Sequence, residues 1–567
     1  MSDTVRWAKL EKRLRLLPGM MAWALFLSLV GFSYLVPQLM AYFLLMYALY
    51  WVTRTGIYLT ALLRCFFYVL RDTEVNWWAR CLRLANNPIE SLQTLEARQR
   101  RWWEQRGIPS DAVGWVARTR RGLAWVKLFA TRREEFRQKR AEREECLSLK
   151  RYLEMENSAP RLQNIQHLVI IPTYKEGMTT LVPTFEHLVQ SNFPLERLHI
   201  LVAGEAADQD FQVRQKEIQS HFGKLLPNLH FTVHTLQSGE VVGKSSNQVS
   251  AIRWFSEVVL GKLQIAHRDL LVTSLDADYR VHPEYFANLS YRYVVDPERN
   301  YHLYQPIPMF FNNIWKVNMF SRINATMGTQ IQMARQMDHR ENRNFSSYAI
   351  SYQTIRGAGY WDVDVIQEDS RLFWKVFFRY GEKVRVEPLF LPVFGDAVHS
   401  ASYRKALASL YDQMRRWAWG ASDVPYVIAR CLRHREIPLW VRMRATVDVI
   451  TNYFNWATMP IILALGAFFP FYLNPAFAET VIGYNLPLFT SRLLTLTSLA
   501  AIVFLTIDSM MAPVKPAKWK GWRRAMVYLQ WLSMPLMGIL FAALPAIDAQ
   551  TRLMMNRSLE YKVTEKE

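Results

Sequence analysis

DLLVTSLDADYRVHPEYF (residues 269–286) is an apolar run that ends in two aspartates, Asp276 and Asp278. The apolar part reads as a buried strand, and a pleat that breaks at its end lets two carboxylates at i and i+2 turn toward one ligand. Two runs before it have the same form. HLVIIPTYKEG (167–177) is apolar up to Pro172 and then polar, and LHILVAGEAAD (198–208) carries its acids at its C-terminal end. Helical patterns over 178–191 and 246–260 lie between the runs. This βαβ order predicts a mainly parallel sheet, and such sheets bind ligands beyond the carboxyl ends of their strands. Hard carboxylate oxygens at that place suit Mg2+ or Mn2+, ions that bridge to substrate phosphates. An isolated pair of aspartates is also an ordinary solvated turn.

Further polar positions follow along the chain. Gly243-Lys244-Ser245-Ser246-Asn247 opens a helix, where an ammonium and free N–H groups together favour an anion, although a capped surface helix has the same form. The GxxxxGK[ST] spacing of a phosphate-binding loop is absent. Glu368-Asp369 stands between an apolar strand and an aromatic helix, where a carboxylate can take a proton from a hydroxyl. The helix dipole alone also favours acids there. Gln413, Arg416 and Trp417 fall at i, i+3 and i+4, on one face of a helix. Arg offers a forked donor to phosphate, and Trp a flat face to a sugar ring.

The whole chain frames this core. It has 567 residues, 69 Lys+Arg against 49 Asp+Glu for a net charge of +20, and 14% aromatics including 20 Trp. That excludes a disordered chain, and four cysteines without metal-like spacing exclude a disulfide scaffold. Mean hydropathy is −0.06, but the apolar residues are segregated. No charge stands between Arg15 and Arg54, and Pro37-Gln38 splits that run into two expected spans, 18–35 and 38–54. Three more are expected over 450–473, 488–511 and 525–547. Lys515, Lys518, Lys520, Arg523 and Arg524, with no acid among them, mark a cytoplasmic loop. The basic N-terminus reads the same way, which places 55–445 in the cytoplasm.

The expected organisation is a transmembrane hairpin over 1–54 and a basic, Trp-rich membrane-adjacent helical region over 55–165. A catalytic α/β domain over 166–425 follows, then an amphipathic interface helix over 426–447. About three transmembrane helices over 448–547 and a tail over 548–567 complete it. In the second region Trp77-Trp78, Trp102-Trp103, Trp115 and Trp125 alternate with Arg, as in helices lying among lipid headgroups. The charge supports this placement. Net charge is +12 over 1–165, +1 over 166–425 and +7 over 426–567, so the excess lies beside the membrane and not on a nucleic-acid surface.

Taken in order, PTYKE from 172, GKSSN from 243, DAD from 276, ED at 368 and QxxRW from 413 resemble the membrane-embedded family 2 glycosyltransferases, the group containing cellulose and hyaluronan synthases. The resemblance covers about 165–420 and the flanking spans. It implies an α/β GT-A domain with α-helical transmembrane segments on both sides. It implies metal-dependent inverting transfer of a sugar from a nucleotide-diphosphate sugar, a UDP-sugar being the expected donor, to a growing polysaccharide or glycan. A further expectation is product translocation, with Asn452, Tyr453 and Asn455 either as polar lining of a channel or as residues of the headgroup zone. Asp369 would be the general base, supported by Glu368. Tyr174, Glu176, Glu205 and Lys244 would bind the nucleotide. Asp276 and Asp278 would hold Mg2+ or Mn2+, and Gln413, Arg416 and Trp417 the diphosphate and acceptor. The expected partners are the donor, a glycan or lipid acceptor and membrane lipids, without nucleic acid. The expected location is a bacterial inner (plasma) membrane. Two departures stand out. Ala203-Gly204-Glu205 replaces a paired Asp, and Asn344-Phe-Ser346-Ser347-Tyr348 replaces a Gly-Thr-Asn-Ala-like loop. Single-sugar transfer to a membrane lipid and a non-catalytic membrane scaffold are the alternatives.

Overall fold

A computed structural model describes residues 3–106, 133–155, 158–339, 342–400, 402–498 and 500–559. Trp115, Trp125 and the end of the tail lie outside the described residues.

Eight strands form one mixed sheet: β1 Gln166–Pro172, β2 Leu198–Glu205, β3 Asn228–His234, β4 Leu270–Ser274, β5 Arg280–Val281, β6 His302–Met309, β7 Tyr348–Ser351 and β8 Arg385–Phe394. Their order is β3-β2-β1-β4-β7-β6-β8-β5. The three expected strands β2-β1-β4 pair parallel, as a mainly parallel sheet requires; β3, which the sequence did not mark, pairs parallel with β2, and β6 pairs parallel with β8. β7 enters antiparallel between β4 and β6, and β5 closes the edge antiparallel to β8. Leu168–Ile171 and Leu198–Val202 are buried on both faces, as continuous apolar runs require. This is the α/β GT-A-like core, and it brings the ends of β1, β2 and β4 to one edge.

The helical flanks differ from expectation at their boundaries. Helix Leu17–Leu35 stops before Val36, because the residue ahead of Pro37 is pushed out of the helical region. The next helix runs from Pro37 to Asp72, through the expected boundary at 54, because a charge such as Arg54 does not break a helix. Its end is clamped to the catalytic domain. Asp72 pairs with Arg71 at 2.5 Å and with Arg292 at 2.6 Å, and Arg71 reaches Glu144 at 2.7 Å. The expected interface helix over 426–447 is two helices, Asp423–Arg433 and Leu439–Leu465, parted by Pro438. Arg442 closes that corner on the carbonyls of Cys431 and Ile437 at 2.7 and 2.9 Å. Trp77 and Trp78, expected among headgroups, pack on the domain instead, against Tyr291 at 5.6 Å and Phe193 at 5.5 Å.

Three helices among the described residues, Arg6–Leu35, Val481–Met511 and Gly521–Met554, are long and apolar enough to cross a membrane. Those over 38–54 and 450–473 fall short of that measure. Tyr42, Tyr47, Tyr50 and Trp51 dilute the first. The second ends at Leu465 and takes in Asp448, Asn452 and Asn455.

Gly204, next to the unusual Glu205, is fixed by packing. A Cβ there would overlap the ring of Phe211, which opens the following helix and is itself buried. Gly204→Ala is therefore expected to cost about 1–3 kcal/mol through overpacking, read as a lower unfolding midpoint of the detergent-purified protein.

Candidate active site

β4 ends at Ser274, and the chain turns through Asp276 and Asp278 before β5. Helix Lys244–Phe255 begins beside this turn, and helix Glu368–Tyr380 begins with the two acids. Lys244 Nζ donates to Asp276 Oδ1 at 2.6 Å and to the Ser346 carbonyl at 2.8 Å, and it lies 3.4 Å from Glu368. Ser346 donates its N–H to Asp369 Oδ2 at 2.9 Å and its hydroxyl to Asp276 Oδ2. Asp369 Oδ1 accepts the N–H of Ser370 at 2.7 Å. One cation thus sits among three of the carboxylates marked by the sequence, with Ser346 as the joint between them.

Electrostatics follow from that packing. Burial pushes Glu368 up to about 7, against the pull of Lys244. Burial also raises Asp369, opposed by the N–H groups of Ser346 and Ser370 and by Lys244. Burial would lower Lys244, but Asp276 and Glu368 outweigh it and hold the ammonium above its ordinary range. A half-buried carboxylate with a raised affinity for protons, fixed by two backbone donors, is suited to accept one.

Asp278 Oδ2 accepts the N–H of Asp396 at 3.0 Å, after β8. No group of three or more His, Cys, Asp or Glu converges as a metal cage among the described residues. Asp276 and Asp278 offer hard oxygens on one turn, a donor set of the kind that would hold Mg2+ or Mn2+ and would leave that ion free to neutralise phosphate charge.

The remaining marked residues fall into two groups. Gln413, Arg416 and Trp417 lie half-buried on helix Tyr403–Ala418. The Arg416 carbonyl accepts from Gln367, the residue ahead of Glu368, and Trp417 packs edge-on against Phe345 at 5.3 Å. Both therefore touch neighbours of the acidic cluster. Tyr174, Glu176 and Glu205 stand apart, at the ends of β1 and β2. Glu176 turns back on the N–H of Tyr174 at 2.5 Å. Glu205 accepts from His234 Nδ1 at 2.9 Å, and His234 Nε2 reaches Glu240 at 2.9 Å, so Glu205 is tied to the loop that leads to Lys244. Sequence reasoning missed His234, Glu240 and Asp396. No spacing marked them, because each acts from the end of a strand or from a loop brought in by the fold.

The cluster makes a testable demand on charge. In metal-free protein, Lys244→Met leaves Asp276, Glu368 and Asp369 without their cation, an expected loss of about 2–4 kcal/mol of stability at pH 8. The loss is expected to shrink at pH 5.5, below the pH of about 7 at which Glu368 takes up a proton. Thermal unfolding of wild type and variant in EDTA at both pH values checks this.

Comparison with known proteins places the site in context. No curated protein matches the sequence. Among solved structures, similarity extends to the mannosyltransferase PcManGT from Pyrobaculum calidifontis in complex with GDP-Man and Mn2+, at 14% identity, a TM-score of 0.37, and coverage of 72% of this chain and 93% of that one. It extends also to residues 1–349 of S. aureus TarS in complex with UDP-GlcNAc, at 11% identity, a TM-score of 0.33, and coverage of 71% and 95%. Residues 271–542, which carry Asp276, Asp278, Glu368, Asp369, Gln413, Arg416 and Trp417, match the family described as Glycosyl transferase family group 2.

Proposed function

We propose that the protein transfers a sugar, with inversion and with a divalent cation, from a nucleotide-diphosphate sugar to a growing polysaccharide or glycan at the membrane. The convergence of Lys244, Asp276, Glu368 and Asp369 through Ser346 carries this reading. The family match over 271–542 supports the reaction class.

Asp369 accepts the proton of the acceptor hydroxyl. Its two backbone donors fix its orientation while burial raises its proton affinity, and Glu368 supports it from the same helical turn. A cation held by Asp276 and Asp278 supplies positive charge to the departing diphosphate. Arg416 adds a forked donor for the same charge, Gln413 binds beside it, and Trp417 offers its face to the acceptor sugar. Tyr174, Glu176, Glu205 and Lys244 bind the nucleotide, with a UDP-sugar as the favoured donor.

The catalytic domain lies in the cytoplasm of a bacterial inner membrane in this reading. The helices over 38–54 and 450–473 join the three candidate crossings to make five. The first shows Leu39, Tyr42, Phe43, Met46, Leu49 and Tyr50 exposed, as a lipid-facing helix does. Asn452, Tyr453 and Asn455 line the path of the product. A second acceptor class, a membrane lipid taking one sugar, is separated from the first by product length.

The test is turnover of a panel of radiolabelled nucleotide sugars by purified protein with Mg2+ or Mn2+, followed by sizing and glycosidase digestion of the product. Polymer from one donor is expected. Asp369→Asn is expected to lower kcat by at least about a hundredfold, the ordinary worth of a general base. A smaller loss removes Asp369 from that role, and a product of one or two sugars removes the synthase.

A further inference from the structure

Ser346 commits every polar atom it has to the reaction centre. Its N–H holds Asp369 at 2.9 Å, its carbonyl receives Lys244 at 2.8 Å, and its hydroxyl donates to Asp276 Oδ2. Lys244 holds the other oxygen of Asp276 at 2.6 Å. Both carboxylate oxygens of the residue best placed to take a cation are thus engaged by the chain itself.

The loop around Ser346 is built to hold it there. Gln305 of β6 accepts the N–H of Phe345 at 2.8 Å and donates to the carbonyls of Phe345 and Ser347 at 3.1 and 3.0 Å. Asn344 donates to the Asp369 carbonyl at 2.6 Å, and Ser347 Oγ accepts the N–H of Asp276 at 3.1 Å. Ser346 itself has φ of +56°, a region that residues with a Cβ occupy rarely and that persists where the surroundings impose it. The backbone is therefore fixed, while the hydroxyl turns about one side-chain bond.

A hydroxyl proton and a divalent cation compete for the same carboxylate lone pairs. Turning the Ser346 hydroxyl away vacates Asp276 Oδ2 without moving the N–H that orients Asp369. We propose that Ser346 is a positioning residue whose hydroxyl occupies Asp276 in place of the divalent cation until the cation and donor diphosphate arrive, while its N–H keeps Asp369 oriented throughout. This rests on the reading in which Asp276 takes the cation. It makes the exchange at Asp276 a side-chain rotation and leaves the base in place.

Mn2+ binding to the full chain in detergent, followed by electron paramagnetic resonance without nucleotide, tests it. Ser346→Ala removes the competitor and is expected to bind Mn2+ about two- to tenfold tighter than wild type, the usual worth of one net hydrogen bond. Ser346→Gly, which also relieves the positive φ, is expected to do the same, so a folding defect in the alanine variant does not decide the outcome. A merely structural role predicts equal or weaker binding. Equal or weaker binding in both variants, with binding lost in Asp276→Asn, overturns the inference alone. Absence of Mn2+ binding in wild type overturns the cation reading and the inference with it.

Discussion

The ammonium of Lys244 lies within 3.4 Å of two carboxylates and a carbonyl that come from three separate parts of the chain. Three acids that pack this closely cannot all stay ionised without a cation among them. The partners are Asp276 after β4, Ser346 before β7 and Glu368 at the start of a helix. Joining them requires β4 and β7 to be neighbours, and they are paired antiparallel with Ser274 opposite Tyr348. The antiparallel entry of β7 into an otherwise parallel block is thus what delivers the Ser346 loop to the end of β4.

A second buried pair fixes the helix that carries Glu368 and Asp369. Arg371, on the first turns of helix Glu368–Tyr380, bonds Asp423 at 2.7 Å, and Ser370 bonds the other Asp423 oxygen at 2.7 Å. Asp423 opens the helix that follows Tyr403–Ala418. Helix Glu368–Tyr380 is therefore tied to helix Asp423–Arg433 here, and the residue ahead of it, Gln367, bonds the Arg416 carbonyl of helix Tyr403–Ala418. Desolvating Arg371 and Asp423 repays little net stability. What the pair joins is geometry: Ser370 and Arg371, next along the helix from Glu368 and Asp369, both hold the Asp423 carboxylate.

The apolar strands at 167–172, 198–203 and 270–274 were legible because burial on both faces writes itself as an uninterrupted apolar run. The acids at 276, 278, 368 and 369 were legible because motifs with fixed spacing sit at the ends of elements. The role of Ser346 was not, though its loop was noticed as a departure. A positive φ and three hydrogen bonds to distant residues leave no local trace in a serine. His234 was equally silent, since its two carboxylate partners, Glu205 and Glu240, meet it only after β2 and β3 pair. Helix ends differ from the expected span limits where a helix runs on past a charge, as at Arg54, or where a proline parts two helices, as at Pro438.

Coupling between the site and the candidate membrane helices follows from continuous contact. Trp417 touches Phe345, the neighbour of Ser346, and lies on the helix whose Arg415 bonds Asp548 at 2.9 Å. Asp548 belongs to Gly521–Met554, one of the three helices able to cross a membrane. On the other side, Gln330 donates to the Phe504 carbonyl of Val481–Met511 at 2.8 Å. The loop that bonds Asp369 is thus linked through Trp417 and Arg415 to one apolar helix, and the domain is bonded to a second. The contacts on the first side run without a gap from Phe345 through Trp417 and its helix to Asp548. In the proposed reading, a polymer leaving along these helices would pass beside the wall that sets Ser346, so product movement and the geometry of Asp369 would share that wall.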